Sequence, residues 1–505
     1  MRCRTLARSL QVEGARIVFF CRDHKDSLHQ QILGNEFEVV NLPRRRWSPL
    51  ELPQSIYAQW LGCSQSQDTE DCLKACQSSF QFAPNFVISD HYGLDRDWEL
   101  RIRSIFPDVK LLAIDDLAAR PHSVDFLLDS GRVQGWLDRS YESLVEPSCR
   151  LLLGPRFALL SSDYCYAKKK IRLRSDLQRV LIFFGGVDQD NYCKLALEAL
   201  QDHRLLHLEV DVVLADGAAH LSQIREMVSC RGNCTLHVGI PSLAGLVHTA
   251  DLAIGAAGVH SWERACLGLP ALALPVADNQ YNLLEALTAA GAVEPLSRDL
   301  GVLTVESVTA AVIRLIVDTS RLAAMSLAAS RLVDGDGVKR ILTAVLGVNG
   351  SMRLRPAECS DLELYFWWVN DPAVRQSSLQ SSGVTLDSHS QWFIARLASD
   401  DVLMRVLMDE KGLPLGQIRF ERSSPQATSA VISFSLDQLA RGQGVAQELL
   451  SLGLDELWRA WGKSIDAVAQ VKSSNSASSR MFLRAGFEEQ ASTMSNVRSF
   501  LKSFA

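Results

Sequence analysis

The sequence has 505 residues, more than a single hydrophobic core accommodates, so two or three domains are expected. A net charge of −6 and an isoelectric point near 6.0 leave no basic footprint for nucleic acid, and 47% apolar with 22% charged residues is the balance of an ordinary globular protein. No apolar run approaches the roughly 18–20 residues that cross a bilayer, and the basic opening MRCRTLARSL leads into VEGAR, so neither a membrane span nor a signal peptide is expected and the location is read as cytoplasmic.

Residues 3–11 read as an amphipathic helix with no strand before it. Buried strands are expected at 15–21 (ARIVFFC), 37–42, 86–90 (FVISD) and 110–115 (KLLAID), with helical stretches between them, which is the pattern of a parallel sheet covered on both faces. This first α/β lobe is placed at 1–150. The run 151–160 (LLLGPRFALL) reads as a crossover into a second lobe, 151–347. There RVLIFF at 179–184 leads into Gly185-Gly186-Val187-Asp188 and a helix near 191–200. Strands follow at 208–214, 235–238 and 252–254, then a helical stretch over 305–346. After the polar break at 348–351 the pattern changes. A third domain, 352–505, has strands expected at 353–355, 402–408, 415–420 and 430–436, and helices at 361–369 and 445–461.

The 12 cysteines are scattered. Cys72/Cys76 and Cys230/Cys234 are the closest spacings, but neither has a second pair in metal-ligand register, so they read as reduced thiols and no metal is expected.

The stretch 251–280 (DLAIGAAGVHSWERACLGLPALALPVADNQ) reads as a buried strand, a small-residue turn from Gly255 to Gly258, a helix opening near Ser261, a short strand at 271–274 and the polar pair Asn279-Gln280. Glycine lets backbone approach a ligand closely, and unpaired amides at a helix start suit phosphate. The order turn, Glu263, strand, Asn279-Gln280 resembles the nucleotide-sugar clamp of GT-B-type proteins. The expected fold is therefore α/β: two Rossmann-like lobes in a GT-B arrangement, then an α+β domain.

In that last domain, Arg441, Gly442, Gln443, Gly444, Val445 and Ala446 lie between a strand and a helix and resemble the R-x-x-G-x-A signature of GNAT acetyltransferases. Successive amides on a glycine turn and the helix dipole suit the CoA pyrophosphate. About 30 residues on, Asn475, Ser478 and Gly486-Phe487 resemble the family's second signature, in which the Asn bonds the pantetheine arm. The resemblance implies acetyl-CoA as co-substrate. Phe482 stands where many relatives carry a tyrosine that protonates the leaving thiolate, and phenylalanine has no proton to give. His389 and Glu421 are the candidates for a base. Residues 367–375 (WWVNDPAVR) with His389 and Trp392-Phe393 resemble the acceptor side of acetyltransferases of amino-sugar nucleotides, with core packing as the alternative for each ring.

Six segments in order resemble the UDP-2,4-diacetamido-2,4,6-trideoxy-β-L-altropyranose hydrolases of pseudaminic acid biosynthesis. They are Trp60-Leu61-Gly62 with Asp68; Asp90-His91-Tyr92 with Trp98-Glu99; Asp115-Asp116-Leu117 with Arg120; Gly154-Pro155; residues 184–188; and the clamp. The resemblance implies metal-free attack of water at the anomeric carbon with loss of UDP. Gly185, Gly186, Gly255, Gly258 and Ser261 would face the diphosphate, Glu263 the ribose hydroxyls, Gln280 the nucleotide, and Tyr92 and Asn279 the sugar. Asp115-Asp116 reads first as a strand-end turn, and His260 as a helix cap. Relatives begin with a strand and a loop ending in Gly-His, the expected base, just before a segment that Met1-Arg2-Cys3 matches; His24 and His29 come too late to replace it. The expectation is a start upstream of Met1, since a lobe without its central strand exposes sheet edges. The leading reading is a bifunctional enzyme that N-acetylates a UDP-4-amino sugar and then removes UDP. The alternatives are an acetyltransferase with a non-catalytic UDP-sugar-binding module, or a GT-B glycosyltransferase fused to an acetyltransferase.

Overall fold

The computed structural model describes residues 2–23, 33, 36–45, 47, 55–79, 83–133, 138–296, 303–492 and 494–504; His24 and His29 lie outside these residues. The chain divides into two units, Met1–Val338 and Lys339–Ala505.

The first unit carries three parallel sheets. The helix Arg2–Val12 turns Leu6, Ala7 and Leu10 inward. Strands β1 (Val18–Arg22) and β2 (Glu38–Leu42) pair in parallel as a sheet of their own. Strands β3 (Phe86–Ser89), β4 (Lys110–Ile114), β5 (Phe126–Asp129) and β6 (Arg150–Leu153) form the second, in sequence order. The third comprises β7 (Arg179–Phe183), β8 (Glu209–Leu214), β9 (Cys234–Val238), β10 (Leu252–Ala256), β11 (Ala271–Leu274) and β12 (Val293–Pro295). Its order, β12-β11-β10-β7-β8-β9, reverses direction between β7 and β10. Val180 and Ile182 feed the core under the helices Tyr192–Ala199 and Val305–Val317, while Leu181 between them feeds the core under His260–Cys266. A strand buried on both faces is apolar where it is covered, which is why Val180, Leu181 and Ile182 run without a polar residue, while Arg179 at the strand's start pairs with Asp211.

The second unit is a seven-stranded sheet: β13 (Arg353–Pro356), β14 (Val402–Met408), β15 (Pro414–Glu421), β16 (Ser429–Leu436), β17 (Asp466–Lys472), β18 (Glu488–Gln490) and β19 (Val497–Lys502), in the order β13-β14-β15-β16-β17-β19-β18. Only β16–β17 pairs in parallel. On β15, Ile418 meets the helix Val445–Trp461 at Gly453, where a Cβ would stand 2.5 Å from it. Its neighbour Arg419 lies over the Trp392 ring on the helix Leu386–Leu397. Adjacent strand residues point to opposite faces, so helices cover both sides.

Four readings change. FLLD at 126–129 is a strand that its brevity between polar residues concealed. The supposed crossover at 151–160 is β6 followed by a 3-10 turn at Pro155–Phe157. The single helical stretch over 305–346 is three helices, Val305–Val317, Thr319–Leu332 and Gly337–Leu346; Asp318 caps the second by accepting from Arg321 N at 2.9 Å. Gly255 belongs to β10, and the turn begins after Ala256.

Candidate functional sites

In the second unit the decisive geometry is a parting of strands. The register pairs Ser429–Ile432 with Asp466–Ala469 and stops there. Residues 433–436 of β16 therefore lose their ladder partner on that side, leaving backbone groups for an extended ligand. The chain then turns through Gly442 (φ 75°) and Gly444 (φ 80°) into the 17-residue helix Val445–Trp461. Both glycines take left-handed backbone that other residues resist, and both have open space around them. The helix starts with unpartnered amides and the positive end of its dipole, an anion-binding arrangement. Arg441 does not point into that cradle. Its Nε and Nη2 donate to Leu436 O at 3.1 and 3.0 Å, and Nη2 pairs with Asp371 at 2.9 Å. It therefore anchors the end of β16. The Gln443 side chain likewise turns back, donating to Leu439 O and accepting from Val348 N at 2.6 Å. Val445 is buried and Ala446 half-buried.

Asn475 caps the helix Ser476–Arg484, its Oδ1 accepting from Ser478 N at 3.1 Å. Phe482 is buried against Phe434, Phe487 and Phe500. His389 is buried with Nε2 3.0 Å from Leu362 O, and burial lowers its pKa. Glu421 pairs with Arg396 at 2.9 Å and Arg419 at 3.5 Å. It sits opposite Val431, well short of the parted end of β16. Both base candidates are thus engaged in structure. Phe393 is core, and the Trp392 ring carries the Arg419 guanidinium 4.8 Å from its centre. Buried Trp368 donates its Nε1 to the buried carboxylate of Asp437 at 2.9 Å, locking the first acceptor-side helix to the residue that follows β16. Sequence reasoning missed that contact, since 69 residues separate the partners.

In the first unit the glycine segments converge. Ligands in open parallel sheets sit beyond the carboxyl ends of the strands, where the strand order reverses. That point lies between β7 and β10. Gly185 (φ 105°) and Gly186 follow β7, and the turn through Gly258 follows β10. Gly255 serves the sheet instead. It pairs with Phe183, and a Cβ there would stand 2.1 Å from Phe183 O. Ser261 is buried and its Oγ accepts from Arg264 Nη2 at 2.9 Å, so it faces inward. Arg264 also donates to Ala256 O at 2.8 Å, tying helix to strand end, and burial lowers its pKa to about 10. Gln280 Oε1 accepts from Val276 N at 3.0 Å, and Asn279 is exposed on a 3-10 turn. Glu263 Oε2 accepts from Tyr164 at 2.8 Å and lies 2.9 Å from His260 Nδ1. Tyr164 precedes Glu263 by 99 residues, so no local signal announces it.

Tyr92 lies beyond the carboxyl end of β3 and donates to Asp116 at 2.6 Å. Arg2 bridges Asp90 and Asp116 at 2.6 Å each. Asp115 is fully buried, held by Arg120 at 2.6 Å and Tyr141 at 2.9 Å. Tyr141 also reaches Asp129 at 2.8 Å, and burial pushes that carboxyl up to about 6. Among the described residues no cluster of three or more His, Cys, Asp or Glu side chains is arranged to hold a metal, and no helix is long and apolar enough to cross a membrane.

Residues 351–488 match the family described as acetyltransferase (GNAT) domain. The second unit carries a GNAT-type domain. The N-terminal part has distant similarity to sugar-biosynthesis proteins. Over 204 residues, 40% of this chain and 59% of the relative, the chain is 25% identical to the spore coat polysaccharide biosynthesis protein SpsG of Bacillus subtilis (strain 168). Over 210 residues, 39% of this chain and 50% of the relative, it is 29% identical to the UDP-N-acetylglucosamine--N-acetylmuramyl-(pentapeptide) pyrophosphoryl-undecaprenol N-acetylglucosamine transferase of Mycolicibacterium paratuberculosis (strain ATCC BAA-968 / K-10). The chain thus spans 59% and 50% of the lengths of these curated relatives. Among solved structures, the spermidine N-acetyltransferase of Vibrio cholerae in complex with CoA and spermine aligns at 15% identity and a TM-score of 0.28, over 31% of this chain and 97% of that one.

Proposed function

We propose that the chain is a bifunctional enzyme of amino-sugar nucleotide metabolism. The GNAT-type domain transfers acetyl from acetyl-CoA to the 4-amino group of UDP-4-amino-4,6-dideoxy-N-acetyl-β-L-altrosamine. The first unit hydrolyses the resulting UDP-2,4-diacetamido-2,4,6-trideoxy-β-L-altropyranose to UDP and free sugar. The observation that carries the first activity is the glycine turn at 442–444, which opens a long helix beside the parted end of β16. The pyrophosphate meets the helix amides, and the pantetheine arm lies along 433–436 as a missing strand. The Asn475 amide reaches that arm. Transfer is attack of the free amine on the thioester carbonyl, with the thiolate leaving and the amine losing one proton.

For the first unit, support comes from the meeting of the two glycine loops at the switch point and from the sugar-related names of both relatives. Water attacks the anomeric carbon, its C–O bond to the diphosphate breaks, and UDP departs with the electron pair. Similarity to an N-acetylglucosamine transferase favours a second reading, transfer of the sugar to an acceptor hydroxyl. Mass spectrometry of the full chain incubated with the UDP-4-amino sugar and acetyl-CoA separates them. Hydrolysis gives the acetylated UDP-sugar, then free diacetamido sugar. Accumulation of the acetylated UDP-sugar alone would reduce the first unit to a binding module, and no acetylated product at all would sink the first assignment.

A further inference from the structure

His260 occupies a singular position at the β7–β10 crevice. It stands two residues after Gly258, with its ring edge-on to Phe183 at 4.7 Å, just before the Gly185-Gly186 loop. Its Nδ1 lies 2.9 Å from Glu263 Oε2, and the same oxygen accepts from Tyr164 at 2.8 Å. A carboxylate only accepts, so the ring proton sits on Nδ1 and Nε2 is the nitrogen on the opposite edge. In the neutral ring Nε2 offers a lone pair, which a phosphate oxygen repels. Protonated, it becomes a donor to such an oxygen.

We propose that binding of a nucleoside diphosphate in this crevice is coupled to protonation of His260, whose Nε2 then donates to a diphosphate oxygen while Glu263 and Tyr164 fix the ring. The proposal rests on the nucleotide-sugar reading of the crevice given above. One proton is taken from solvent per diphosphate bound, and no covalent bond changes. The surroundings leave few competing groups. Glu263 and Arg264 are the titratable neighbours on the same helix, and Tyr164 comes from the helix Ser162–Lys168. The small cavity behind the ring is otherwise lined by apolar side chains of β7 (Leu181, Phe183), β10 (Ala253, Ile254) and the helix Ala244–Thr249 with its cap (Val247, Leu243). Burial, then Glu263, raise the Tyr164 pKa, so the phenol stays protonated and donates.

The test is titration calorimetry on the full chain between about pH 6 and pH 9, in buffers of different ionisation enthalpy. The ligands are UDP and uridine, and the proteins are wild type and H260Q. Wild type is expected to take up to one proton with UDP and none with uridine, and its UDP affinity falls by as much as about tenfold per pH unit on the alkaline side. Terminal phosphates titrate near pH 6, a ligand effect common to both proteins. H260Q should show the flatter curve. UDP binding without proton uptake, or parallel curves for the two proteins, overturns the coupling and leaves the nucleotide reading standing. Uptake with uridine assigns the nitrogen to a ribose hydroxyl and overturns the diphosphate contact. Failure of wild type to bind either compound removes the nucleotide reading itself, and the coupling with it.

Discussion

Gly255→Ala is the sharpest single perturbation of the nucleotide-side fold. The added methyl would stand 2.1 Å from Phe183 O, 3.1 Å from Phe183 C and 3.0 Å from Arg264 Nη1. Ordinary contact begins near 3.4 Å, so β7 and β10 must part by about 1.3 Å at the very point where the two glycine loops face each other. The obstacle is backbone in the centre of a six-stranded sheet, which cannot swing aside as a side chain does. Overpacking of this kind costs about 3 kcal/mol or more. Gly258→Ala, three residues on, is the control: its nearest neighbour is the flexible Gln280 amide at 3.3 Å, and the cost should stay below about 1 kcal/mol. Thermal melts followed by circular dichroism, with UDP binding measured in parallel, distinguish the two. Gly255→Ala should lower the first unit's transition by at least ~5 °C and abolish UDP binding. Gly258→Ala should melt near wild type. Equal melting temperatures for Gly255→Ala and wild type would refute the strand-contact reasoning.

Other outcomes follow from the same geometry. Gly444→Ala forces a side chain into left-handed backbone at a cost of about 1–2 kcal/mol, and should raise the KM for acetyl-CoA while leaving the KM for the amine nearly unchanged. Arg441→Lys keeps the charge but loses the paired contact with Leu436 O, so steady-state kinetics should show weakened acetyl-CoA use without loss of folding. Asp437→Ala orphans the buried Trp368 Nε1 and should cost about 1–3 kcal/mol in urea denaturation, with Trp368→Phe restoring part of it in the double variant. Asp129 is raised to about 6 by burial, so its contribution to stability is full below the unfolded value near 3.8 and is lost as pH rises through 6. Asp129→Asn should therefore flatten the decline of melting temperature between pH 4 and pH 7; a variant curve parallel to wild type would contradict this.

Wherever one residue's chemistry is enough, the linear sequence is informative. Short apolar runs such as VLIF at 180–183 and ALAL at 271–274, bounded by turn residues, suit strands buried on both faces, and each lies in one. Four of the third domain's described strands, β13 to β16, and its long helix were legible within a residue or two, because period-2 and period-3.6 patterns act locally, whereas β17, β18 and β19 were not read. The glycines at 442 and 444 announced their turn because few other residues accept a positive φ. Partners distant in sequence were not legible. Arg441 stands in the acetyl-CoA signature, and only the tertiary structure puts its guanidinium on Leu436 O and Asp371. Ser261 looked like a crevice residue until it was found facing Arg264, and His389 like a base until it was found buried against Leu362 O.

By itself, then, the sequence determined many of the strands, the long helix and the glycine turns, and it marked the segments around 251–280 and 441–446, because backbone sterics and hydrophobic periodicity act locally. The tertiary structure decided that β7 and β10 lie side by side at a reversal of strand order, and that β16 and β17 part after Ile432. It also decided that Glu263 is shared between His260 and Tyr164. Those facts depend on which strand lies beside which, and on the side chains that distant segments bring to the same few ångströms, a matter that no local rule of chain conformation reaches.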